Sequence, residues 1–275
     1  MVRLELKYFR ISFVRFAYKF ICVFIEEMIV IEKLRLEKNL HSILARYIVQ
    51  LYGYEVLIVC DDSGSMITPV DETRKTRWDE LCTIVKRILD ITVMFDSTGV
   101  DLYFLNGGEY PKIKDPADVD HAFARTPRGF TPLVPVLKKI FQSKMAARGR
   151  DKKVLVFVAT DGKPTNDDGD EIVEELEHLM RYTRDKETTF VSFLLCTDEQ
   201  QCVDYLERWD RTMENVDVTD DYETELRKIR QCQEDENYRF SYDDYIVKAL
   251  IGSMVPHIDR LNEQKIQRTT STVNT

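Results

Sequence analysis

Residues 55–65 read EVLIVCDDSGS: a nearly continuous apolar run that stops at two aspartates and a serine-glycine-serine turn. Residues 154–164, VLVFVATDGKP, repeat the design, with Asp161 just past the run. Apolar stretches of this length, bounded by turn residues, are the pattern of central strands covered on both faces. VDLYFL (100–105), TFVSFLLC (189–196) and NVDV (215–218) add three more strand-like runs. Helical periodicity fills the gaps between them, which in one dimension is a parallel sheet with crossover helices.

The helices carry their own signals. Trp78, Leu81, Cys82, Val85, Ile88, Leu89 and Thr92 fall at steps of three and four and predict an amphipathic helix of about four turns. Ile172, Val173, Leu176, Leu179 and Met180 predict another. Thr131-Pro132-Leu133 offers a hydroxyl cap and a first-turn proline for a third. Ser241 and Asp244 have capping-box spacing ahead of Tyr245, Ile246, Ala249 and Leu250.

Right-handed crossovers make parallel strands point one way, so the loops at their carboxyl ends gather on one sheet edge. Asp61 and Asp161 therefore arrive at the same edge. Ser63 and Ser65 follow Asp61, with Gly64 permitting a tight turn between them. Two carboxylates and two hydroxyls, with no His or Cys, form a hard-oxygen donor set suited to Mg²⁺, with Mn²⁺ or Ca²⁺ as alternatives. The low formal charge leaves such an ion electrophilic, ready to take one more carboxylate from outside.

DDSGSM, GFTPL with Thr131, and VATDGKP resemble the three pieces of the metal-ion-dependent adhesion site of von Willebrand factor type A domains, in the same order. The resemblance spans about residues 54–255. It implies that Asp61, Ser63, Ser65, Thr131 and Asp161 hold Mg²⁺, directly or through water, and that a protein partner's acidic residue completes the coordination. It also implies a Rossmann-like α/β fold in three α/β/α layers, whose mostly parallel central sheet has one short antiparallel edge strand. That strand should fall between Leu105 and Phe130, where Pro111, Pro116 and Pro127 crowd the chain and HAFAR (121–125) is a poor strand. Gly107 and Gly108 read as the turn after the second run.

The organisation expected is a basic, aromatic-rich extension over 1–53, partly helical or poorly ordered, the α/β domain over 54–255, and a tail over 256–275. The whole chain of 275 residues carries a net charge of −9, but residues 1–50 hold nine basic and five acidic side chains, net +4, leaving −13 on the rest. A body this acidic excludes a nucleic-acid groove as the main surface. Residues 8–31 are apolar and aromatic, yet Arg10, Arg15, Lys19, Glu26 and Glu27 interrupt them. Neither a membrane span nor a signal peptide is expected, and contact with a membrane surface is a weaker reading than packing on the domain. The six cysteines show no metal-binding spacing, so a reduced, cytoplasmic chain is expected, with Cys60 a small core residue. A bridge between Cys196 and Cys202 is the less favoured alternative to two thiols.

Several neighbours of the motif have plainer readings. Asp62 should face away from the ion; Asp167, Asp168 and Asp170 read as an acidic helix start rather than a second calcium site. His121, His178 and His257 read as surface residues, and TDDYETE (219–225) as a solvated loop and helix start. No catalysis is expected. A phosphatase using an aspartate nucleophile would need a second Asp where Ser63 stands, so a phosphatase-like, Mg²⁺-dependent hydrolase is the least favoured alternative. A scaffold with a merely stabilising metal site is the other.

Overall fold

The computed structural model describes residues 25, 28–70, 75–146, 152–197 and 199–265. Its strands are β1 (Tyr54–Cys60), β2 (Pro69–Val70), β3 (Lys75–Thr76), β4 (Val100–Phe104), β5 (Gly108–Ile113), β6 (Lys153–Thr160), β7 (Thr189–Leu195) and β8 (Val216–Thr219). The helices are α1 (residues 28–37), α2 (Ser42–Tyr47), α3 (Arg77–Thr92), α4 (Pro116–Phe123), α5 (Leu133–Ala146), α6 (Val173–His178), α7 (Gln200–Thr212), α8 (Tyr222–Gln233), α9 (Tyr242–Ile251) and α10 (Pro256–Asp259). β2 and β3 pair only with each other; the other six strands form one sheet in the order β5-β4-β1-β6-β7-β8. Every neighbouring pair in that sheet is parallel except β4 and β5.

The expected fold class is therefore the observed one, antiparallel edge strand included. That strand lies earlier than HAFAR: it starts directly at Gly108, and residues 121–123 of HAFAR end α4, which Asp115 caps and Pro116 begins. Pro111 fits inside β5 because an edge strand has one side that need not donate to a ladder. The pairing register shifts between Val100 and Leu102, where Pro111 and Lys112, the latter with φ of 55°, form a bulge opposite Asp101.

Alternation along the strands divides the interior into two cores. Val56, Ile58, Cys60, Leu155, Phe157, Ala159, Phe190 and Leu194 face α3, α4 and α9. Leu57, Val59, Val156, Val158, Val191 and Phe193 face α5, α6 and α7. Buried on both sides, the central strands need the continuous apolar runs their sequences show.

The first core reaches beyond residues 54–255. Leu34, Leu40, Leu44, Ala45, Ile48 and Leu51 are buried in it, as are Ile258 and Leu261. Each fully buried leucine or isoleucine contributes roughly 2 kcal/mol, so residues 34–51 are bound into the fold by their own apolar surface. Asp244, fully buried at the start of α9, accepts from the His41 amide at 2.6 Å and from the Ser241 amide at 2.8 Å, fastening the two segments together. Most of residues 8–31 lies outside the described residues, and no described helix is long and apolar enough to cross a membrane.

Candidate metal centre

β1 lies between β4 and β6, so the chain leaves it in one direction and later returns on its other side. In open α/β sheets the crevice at such a reversal, outside the carboxyl ends of the strands, is where ligands bind. Asp61 and Asp161 sit there. The Asp61 amide donates to the Ala159 carbonyl at 2.9 Å, extending the β1–β6 ladder to the strand ends.

Four of the five expected ligands form one chain of polar contacts. Asp61 Oδ1 accepts from the Ser63 amide at 2.9 Å, and the Ser63 and Ser65 hydroxyl oxygens are 3.0 Å apart. Ser65 Oγ then donates to Asp161 Oδ1 at 2.8 Å. Asp61, Ser63 and Asp161 are buried, whereas Ser65 stands at the exposed rim. The loop that carries Thr131 is tied to the motif through a neighbour, the Gly64 amide donating to the Gly129 carbonyl at 3.1 Å, while the Thr131 amide itself donates to Thr165 Oγ1 at 2.9 Å. Gly129 must be glycine, since its φ is +94° and a Cβ would lie 2.9 Å from Asn106 Oδ1.

Asp62 faces away from this cluster, into the surrounding protein. Its carboxylate accepts from the Asn106 amide at 2.7 Å and from Asn106 Nδ2 at 3.1 Å, with Arg125 Nη2 3.4 Å away. Asn106 Nδ2 in turn donates to the Phe130 carbonyl at 2.9 Å. Asp62 thus sets the loop after β4 and the loop carrying Thr131 against the motif that contains it.

Two residues at the centre have no counterpart in the sequence reading. Thr160 Oγ1 donates to Asp61 Oδ2 at 2.7 Å. Arg77, in the first turn of α3, donates from Nη1 to Asp161 Oδ2 at 2.9 Å and from Nη2 to Thr197 Oγ1 at 2.9 Å and Glu199 Oε1 at 3.0 Å. All the sequence offers for it is its place one residue before the apolar stripe that starts at Trp78.

The electrostatics call for a cation. Burial, and next the neighbouring Asp161 charge, push the Asp61 carboxyl up to about 6, against the pull of hydrogen bonds from Ser63 and Thr160. Arg77 is balanced between Asp161 and Glu199, so it does not cancel both carboxylates of the pair. An all-oxygen set with two carboxylates and two or three hydroxyls is chemically fitted to a hard divalent ion, and the residues present match that requirement.

Other expectations resolve simply. Cys60 is fully buried, with burial pushing its thiol well up, and Cys196 is a free thiol; the side chain of Cys202 lies outside the described ones. Asp168 and Asp170 belong to a turn closed by Asn166 Oδ1, which accepts both their amides at 3.0 and 2.8 Å; α6 starts later, with Glu174 and Glu175 in its first turn. His121, His178 and His257 are exposed. The stretch 219–225 is not wholly solvated: Asp221 caps α8, but Glu225 is fully buried because Lys248 of α9 lies 3.2 Å from it.

No protein-family model and no curated protein matches the chain. Among solved structures it is similar to the pilus adhesin SpaC from Lactobacillus rhamnosus GG, at 14% identity over 60% of this chain and 28% of that one, with a TM-score of 0.40. An open conformation of SpaC gives 15% identity over 72% and 30%, with a TM-score of 0.40. The manganese-loaded Plasmodium vivax TRAP protein gives 14% identity over 63% and 71%, with a TM-score of 0.40. The chain thus spans less than a third of the SpaC chain.

Proposed function

We propose that this protein is a non-catalytic binding module of the von Willebrand factor type A kind, in which Asp61, Ser63, Ser65, Thr131 and Asp161 hold Mg²⁺ and an acidic residue of a partner protein binds against it. The observation that carries the reading is the continuous contact path from buried Asp61 through Ser63 and Ser65 to Asp161, ending at an exposed rim. When bound, the ion supplies an electrophilic position for an external carboxylate. The chain's own residues do the rest. Thr160 and the Ser63 amide orient Asp61, Arg77 orients Asp161, and Asp62 with Asn106 fixes the Thr131 loop.

The rim suits a protein partner. Phe130 and Ile67 are about half exposed, at 51% and 53%, and stand one residue before Thr131 and two after Ser65. Apolar side chains beside a charged anchor are what a protein interface uses to exclude water from it. The non-catalytic reading rests on Ser63, which occupies the place a phosphatase with an aspartate nucleophile would give its second aspartate.

The test is selection of random peptides displayed on phage against the immobilised full chain in MgCl₂, with parallel elution in EDTA. Enrichment of peptides with a shared Asp or Glu, lost in EDTA and lost with Asp61→Asn, supports the proposal. Enrichment that ignores Mg²⁺ would contradict it.

A further inference from the structure

We infer that Asp210, Asp217 and Asp259 form a second divalent-cation site, of the calcium class, distinct from the centre at Asp61. The three come from α7, β8 and α10, yet one carboxylate oxygen from each lies within 4.8 Å of the others. Proximity of acids alone proves nothing. The second observation is Asp217 itself, which is fully buried and whose Oδ1 has no hydrogen-bond partner. Its Oδ2 accepts from Thr219 Oγ1 at 3.1 Å, so the carboxylate is held on one side and unsatisfied on the other.

The nearby cations are shared among several acids. Lys248 is fully buried on α9, its Nζ 3.2 Å from fully buried Glu225 yet without a hydrogen-bond partner, and its charge is also felt by Asp217 and Asp210. Lys228 is 2.6 Å from Asp220, and Arg211 is 3.6 Å from Glu263. The triad and Glu225 thus set four carboxyl groups, two fully buried and two half-buried, against one buried ammonium. An excess of this kind favours uptake of protons or of a metal ion.

There is space and chemistry for an ion. A cavity of about 50 Å³ adjoins Asp210 and Asp259 and is lined also by Asn262 and Glu263 and by Arg211 and Lys228, which pair with Glu263 and Asp220, so a water and further oxygen donors have room beside two of the three carboxylates. Oxygen-only ligands from three separate elements favour Ca²⁺, which tolerates irregular geometry, over Mg²⁺, which does not. On the sheet, Asp217 is in register with Ser192, Ser192 with Phe157, and Phe157 with Ile58. The second site is therefore three strands, about 14 Å, from β1, and three residues short of the edge at Asp61. A cation here would clamp α7, β8 and α10 together.

The experiment uses the full chain carrying Asp61→Asn, which removes the first centre, so failure of one site is not confused with failure of the other. Calcium chloride titrated into this variant should give one saturable heat of binding by calorimetry and a rise in melting temperature of several degrees. Both should vanish when Asp259→Asn is added, and also when Asp217→Asn is added. Asp259 is half-buried and near the end of the fold, so that variant carries the test if Asp217→Asn does not fold. No calcium heat in Asp61→Asn, or binding that survives Asp259→Asn undiminished, overturns the inference.

Discussion

Arg77 Nη1 lies 2.9 Å from Asp161 Oδ2, so an arginine from the first turn of α3 holds one of the two carboxylates that β1 and β6 bring to the sheet edge. The arginine side chain is 10% exposed and the aspartate side chain 0%, which makes this a buried pair in direct contact with the candidate ligands. Removing one partner leaves the other charge buried without a counterion. Arg77→Gln should therefore cost about 3 kcal/mol in the presence of EDTA, as broken buried pairs do, measured by urea unfolding. Mg²⁺ should recover a large part of that loss, because more uncompensated negative charge faces it. A stability unchanged in EDTA would show that the pair is not an element of the centre.

Asp61 makes the centre sensitive to pH. Its carboxyl is raised to about 6 by burial and by Asp161. A carboxyl raised in the folded state favours folding while both states are protonated, below about pH 4, and that advantage is lost as pH rises through 6. The loss amounts to roughly 3 kcal/mol for a shift of about two units. Cation binding needs the ionised form, so Mg²⁺ affinity should fall about tenfold per unit below pH 6. Calorimetry from pH 5 to 7.5 checks this, and a flat affinity over that range would count against Asp61 as a ligand.

Phe130 separates ion binding from partner binding. Its ring packs over Gly169, where an added Cβ would lie 2.8 Å from Phe130 Cε1, and half its surface remains exposed. Phe130→Ser should leave Mg²⁺ affinity within about twofold while weakening an acidic peptide selected on the wild type by about tenfold, the usual scale for an interface aromatic. Equal losses in both would mean that Phe130 supports the Thr131 loop rather than the partner.

Asp244 reports on the attachment of residues 34–51. Its carboxylate accepts from the amides of His41 and Ser241 and from Ser241 Oγ at 2.9 Å. Asp244→Ala removes acceptors from buried donors and one end of a capping box, an expected cost of about 2–3 kcal/mol by chemical denaturation. Hydrogen exchange should quicken first in residues 42–48; exchange unchanged there would show that the segment is held by its leucines alone.

The strands were legible because β1, β6 and β7 are buried on both faces and have little but apolar residues to show. Asp61, Ser63, Ser65 and Asp161 were legible because turn chemistry interrupts those runs at their ends. Arg77 was not, because a lone arginine beside an apolar stripe reads as solvent-facing until the fold puts Asp161 opposite it. Glu225 and Lys248 were hidden for the same reason: each is a charge in an amphipathic helix, and only the packing of α8 on α9 shows them buried face to face. β5 lies within the stretch expected, between Leu105 and Phe130, but its bounds were blurred by Pro111 and Pro116, which an edge strand and a helix start accept. The core role of residues 34–51 depends on α9 lying over them, and no local periodicity reports that.

The most direct measurement is a Mn²⁺ titration of isotopically labelled full chain followed by amide resonances, since a paramagnetic ion marks where it sits. Broadening should appear first at Ser63, Gly64, Ser65, Thr131 and Asp161, be displaced by Mg²⁺, and disappear from those residues in Asp61→Asn. Broadening that spares these amides in the wild type, or persists at them in Asp61→Asn, would contradict a cation held by this set of oxygens.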